Sequence, residues 1–162
     1  MAQRYRFIIA FRKCYERFYF HRLRTLNKNT DFSLFSPNCY AGLIYHRLGL
    51  QFKSPTINMF FPSKKEYLKF VSNLRYYTSL ELKEIEDERF PYPAGMVGDV
   101  ELVFNHYSSF QNANEAWEKR KKRINFQNVF ILFDDCADAE YEDLVEFNKI
   151  HCQGKAIFTE IS

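Results

Sequence analysis

Residues 90–125 read FPYPAGMVGDVELVFNHYSSFQNANEAWEKRKKRIN, and the order of residue types within them decides the fold class. Pro91, Pro93, Gly95 and Gly98 predict a loop whose glycines let the backbone approach a ligand closely. Asp99 opens a strand, Val100 to Phe104, which ends at Asn105-His106-Tyr107. Ser109 then caps a helix running to Arg123, with Phe110, Ala113, Ala116, Trp117, Arg120 and Ile124 on one face. Asp99, Glu101, His106, Arg120 and Arg123 thereby gather acid, base and anion-binding groups into one loop, strand and helix unit.

The same alternation continues outward. Phe32 to Phe35 reads as a short strand, followed by a helix from Asn38 or Cys39 to Leu48 that Gly49 closes. Thr56 to Phe61 predicts an apolar strand, and Pro62-Ser63 starts a helix that reaches about Tyr77. Leu80 to Ile85, with alternating Leu and Glu, fits an edge strand. Val129 to Phe133 is the most buried strand, Ala137 to Ile150 the last helix and Lys155 to Phe158 the last strand. Elements of these lengths in this order predict an α/β fold, a three-layer sandwich around a mostly parallel or mixed sheet of about five or six strands.

Charge is distributed unevenly along the 162 residues, whose net charge is +3. Residues 1–28 hold eight Lys and Arg against Glu16 alone, so this segment is basic and the remainder mildly acidic. Phe7, Phe11, Cys14, Tyr15, Phe18 and Leu26 recur near helical spacing between the cations. They predict a basic amphipathic helix over 1–28, ahead of a single α/β domain over 29–162. That helix docks either on the domain or on an anionic membrane surface. Cys14, Cys39, Cys136 and Cys152 show neither a CxxC pair nor disulfide-framework spacing, which favours a reducing cytoplasm. No stretch reaches the roughly 18 apolar residues of a membrane span.

Ligands of open parallel sheets collect beyond the carboxyl ends of the strands. Asn38 and Cys39, at a helix start, are candidate substrate-binding residues. Cys39 is either a thiol activated by the helix dipole or a core residue. Asn105 joins them, and His106 is the leading general acid or base, with Asp99 as a second. Asp134 and Asp135 either cap the following helix or hold Mg²⁺ or Mn²⁺ against a diphosphate. Arg120 and Arg123 either pair with Asp99 or Glu101 or await a phosphate. The run Glu118 to Arg123 resembles a nucleic-acid patch, but Arg120 lies on the apolar face and the body is acidic, which disfavours that reading.

Ser36-Pro37-Asn38-Cys39 with Gly42, His46 to Leu50 and Ser54 to Asn58 resemble a bacterial family of unknown function, domain-of-unknown-function 1919, often labelled exopolysaccharide biosynthesis proteins. Tyr92 to Gly95, Gly98 to Glu101, His106-Tyr107, Ala116 to Arg120 and Arg123 to Asn125 look like its central pattern, and Lys155 to Thr159 like a later strand. The resemblance spans about residues 32–159, leaves out the basic helix, and implies that members continue beyond this chain's last strand. It also implies an α/β domain that works beside capsule and surface polysaccharide genes. Together with the residues above, this gives the expectation of glycosyl or related group transfer from an activated sugar or glycan intermediate. The alternative is a non-catalytic glycan- or partner-binding module of the same pathway.

Overall fold

The computed structural model describes residues 2–135 and 139–159, with side chains at Ile9 and from residue 11 onward. Twelve elements are found among them: α1 (Ala2–Leu26), β1 (Ser33–Phe35), α2 (Tyr40–Leu48), α3 (Lys64–Ser72), α4 (Leu74–Ser79), β2 (Leu82–Ile85), β3 (Ala94–Val97), β4 (Val100–Val103), α5 (Phe110–Lys121), β5 (Val129–Asp134), α6 (Tyr141–Lys149) and β6 (Gly154–Phe158). The α/β class is as expected. The six strands divide, however, into a parallel sheet of order β1-β5-β6 and an antiparallel sheet of order β2-β3-β4.

Alternation along β1 and β5 explains their burial on both faces, whereas β6 is largely exposed. Phe35, Ile131 and Phe133 point into a large core that also takes Tyr67 and Phe70 of α3, Val100 and Leu102 of β4, Trp117 of α5 and Phe147 of α6. Leu34 and Leu132, on the opposite face, pack with Ala41 and Tyr45 of α2 and with Ile57. The two sheets therefore share one apolar interior. A short seam also connects their backbones: Phe60 pairs with Val103 of β4, and the Phe61 amide donates to the Pro37 carbonyl at 3.1 Å.

That seam replaces the strand expected over Thr56 to Phe61. Residues 55–58 turn instead, with Asn58 in the left-handed region at φ 65°. Asn tolerates this region better than most residues. The Ile57 carbonyl is satisfied by side chains, accepting from Arg120 Nη1 at 2.9 Å and from the Tyr107 hydroxyl at 3.2 Å. A second difference lies at Asn73, which separates α3 from α4 where one continuous helix was expected.

A third concerns the Pro/Gly stretch. Only its first part is loop: Ala94–Val97 forms β3, in register with β2 and β4. Gly98, at φ 62°, makes the two-residue turn to β4. Both glycines serve the hairpin. A Cβ on Gly95 would stand 2.9 Å from both the Lys83 carbonyl and the Phe104 ring. The helix expected from Ala137 begins at Tyr141 among the described residues, Ala137 itself lying outside them. Cys136 also lies outside them.

Candidate functional site

The carboxyl ends of β1, β4 and β5 converge with the starts of α2 and α3. Between them lies a pocket of about 290 Å³ lined by Pro37, Asn38, Cys39, Phe60, Phe61, Pro62, Ser63, Lys64 and Asn105. Each wall has a local cause. Asn38 accepts from the Tyr40 amide at 3.1 Å through Oδ1, which fixes the entry to α2. Ser63 caps α3, its hydroxyl accepting from the Glu66 amide at 3.2 Å. The Phe60 seam brings Asn105, just after β4, to face Cys39, and Asn105 Nδ2 donates to the Cys39 sulfur at 3.8 Å.

Behind the wall stands Asp134, only 3 % exposed. Its Oδ2 accepts from Asn38 Nδ2 at 2.9 Å, and its Oδ1 takes the ammonium of Lys64 in an ion pair. A buried carboxylate requires such compensation, and removing either partner leaves an unpaired charge. Asp134 thus holds two pocket residues from behind. The Asn105 amide is less complete: Oδ1 is buried and has no hydrogen-bond partner among the described residues. Buried polar atoms of this kind are uncommon and call for a partner.

The structure brings Asn38, Cys39, Asn105 and Asp134 together. His106, the residue after Asn105, is exposed at the same end of β4. Asp99 lies at the other end, separated from it by about 13 Å of strand. It accepts from the Tyr77 hydroxyl at 2.9 Å and pairs with Lys69 at 3.3 Å, and these two contacts hold its carboxyl below the ordinary range. Asp99 and His106 therefore do not share a site, because the loop, strand and helix unit spans the full length of β4.

The arginines are also differently engaged. Arg120 bonds the Ile57 carbonyl and, at 2.6 Å, the Tyr107 hydroxyl, and it stacks over Phe52 with 5.2 Å to the ring centre. Arg123 reaches the Phe52 carbonyl at 3.5 Å. Neither pairs with Asp99 or Glu101, the first of the two alternatives open for them. Glu101 instead pairs with Arg89, which also holds Asp87 at 2.8 Å.

Asp135 is half-buried, and its amide donates to the Phe158 carbonyl at 3.1 Å. A divalent cation at Asp134 would have to displace the Lys64 ammonium and the Asn38 amide. Among the described residues no group of three or more His, Cys, Asp or Glu is placed to hold one. Among the described residues, Asp134 is already committed to Lys64 and Asn38.

Lys64 and Phe60 were not singled out from sequence. Lys64 carries a signal all the same: a cation at the first position of a helix opposes the macrodipole, so its presence there asks for an anion nearby. Its partner lies 70 residues away in the chain and had to be found in three dimensions. A larger recess of about 360 Å³, between Phe32, Leu34, Ile44, Leu48 and Phe130, is walled mainly by carbon and offers little chemistry.

Fold and pocket together define an α/β protein with a cleft of mixed polar and apolar lining at its strand ends. The chain belongs to the family described as Domain of unknown function (DUF1919), which matches residues 10–162. The match takes in most of α1, which the motif resemblance left outside. An uncharacterized protein of Haemophilus influenzae is 32 % identical over 145 residues, covering 89 % of this chain and 69 % of that relative. No helix among the described residues is long and apolar enough to cross a membrane.

Proposed function

We propose that the pocket at Asn38, Cys39, Lys64 and Asn105 binds an activated sugar and that the protein transfers its glycosyl or a related group. The observation that carries this reading is the cleft itself, framed by two helix starts and lined by Asn38, Cys39, Lys64 and Asn105. Amide side chains hydrogen-bond sugar hydroxyls, and helix N-termini favour the phosphate of the leaving group. Phe60 offers an apolar wall to a sugar ring.

In the transfer, an acceptor oxygen bonds the anomeric carbon as the bond from that carbon to the phosphate oxygen breaks. The phosphate leaves toward the helix starts, and the acceptor proton passes to His106, the exposed base next to Asn105. The assignment to surface or exopolysaccharide assembly in the cytoplasm is supported by the motif resemblance and by the unpaired thiols of Cys14, Cys39 and Cys152.

Thermal-shift measurements against nucleotide sugars test this reading, with and without Mg²⁺ or Mn²⁺. A ligand at a hundred times its Kd should stabilise the fold by about 2.7 kcal/mol. We expect a metal-independent shift that Asn105→Ala abolishes while leaving the unliganded Tm in place. His106→Ala should keep binding and lose transfer, whereas transfer that survives it would remove His106 from the mechanism. A folded chain that no nucleotide sugar shifts would sink the proposal.

A further inference from the structure

The N-terminal helix meets the rest of the molecule along one side only. Arg24 Nε donates to the Arg47 carbonyl at 2.8 Å, and the Arg47 guanidinium lies 4.9 Å from the centre of the half-buried Phe20 ring. The opposite side is apolar and uncovered: Phe11 is 77 % exposed, Phe18 68 %, Tyr15 and Leu26 62 % each, and Tyr19 46 %. At 100° per residue these five side chains fall within an arc of about 100°, along roughly 22 Å of helix. Arg22 lies inside the arc and Arg12 at its border.

We infer that this face lies on an anionic lipid surface, with its rings in the headgroup region and its arginines against lipid phosphates. The proposal is independent of the pocket. Charge selects the occupant. Residues 1–28 carry eight cations and one acid, a net charge that anionic lipid attracts, with Arg22 at the apolar face and Arg12, paired with Glu16, at its border. A second copy laid face to face would bring the same cations together. A nucleic acid would use the cations but leave the five apolar side chains unexplained. The helix is too polar to span a bilayer, so it lies in the plane of the interface.

Co-sedimentation of the full chain with vesicles tests the assignment, using phosphatidylcholine alone and phosphatidylcholine mixed with phosphatidylglycerol. Binding is expected to the mixed vesicles only, to fall as NaCl is raised, and to drop about tenfold or more in the Phe11→Ser/Phe18→Ser double variant. Both side chains are exposed, so the variant should keep the parent Tm. Absence of binding to mixed vesicles at low salt, or binding that the double variant leaves intact, would overturn it. Sedimentation velocity showing a dimer that the same substitutions dissociate would assign the face to a second copy instead.

Discussion

Tyr45 shows how a single side chain can stand in for a missing strand. Its hydroxyl donates to the Phe32 carbonyl and accepts from the Leu34 amide, each at 2.9 Å, along the edge of β1 that β5 does not cover. Burial pushes the phenol up to about 12. Tyr45→Phe would leave two buried backbone groups without partners, so we expect a loss of about 1–3 kcal/mol in chemical denaturation. Sequence reading placed Tyr45 in the right helix but had no means of seeing this role. Arg120 was legible in part: its inward position followed from its spacing to Trp117 and Ile124, but its partners are the Tyr107 hydroxyl and a main-chain carbonyl, the latter carrying no residue-type signal. Asn38, Cys39 and Asn105 were legible as strand-end polar residues, whereas Lys64 was not.

At the scale of elements, strong apolar runs flanked by caps were readable, and weak ones were not. Ser109 caps α5 as expected, accepting from the Asn112 amide at 3.3 Å, and Gly49 ends α2 in the left-handed region. β3 escaped because Pro91, Pro93, Gly95 and Gly98 surround only four strand residues, and its glycine is there for contact with Phe104. The apolar run before Pro62 mimicked a strand because its side chains are buried, although its backbone turns at Asn58. The hairpin itself makes a clear prediction. A Cβ at Gly98 would be held at φ 62° and stand 2.9 Å from Leu80 Cδ1, so Gly98→Ala should cost at least about 1–2 kcal/mol. A denaturation midpoint equal to that of the parent would show that the turn can adopt another geometry.

Across the whole molecule, carboxylates tie together segments distant in sequence. Asp31 pairs with Lys53, and Asp99 with Tyr77 and Lys69; in both, these partners lower the carboxyl below its ordinary range. Asp87, held by Arg89, is lowered further. A lowered folded-state pKa contributes stability that is present above the unfolded value and lost as pH falls through the folded one. Glu101 runs the other way, since burial raises its carboxyl. With three groups against one, we expect Tm to fall progressively as pH drops below about 4, and Asp99→Asn to flatten that limb when Tm is followed from pH 6 to pH 2.5. The pairing of Ser33 with Val129 has a different consequence, for the order in which the protein assembles. As the chain leaves the ribosome, β1 must wait roughly a hundred residues for β5, while the hairpin of β3 and β4 can close at once. Tyr45, about a dozen residues behind, can occupy an edge of β1 during that interval, so the phenol that finishes the folded sheet is also an early guard of a nascent strand.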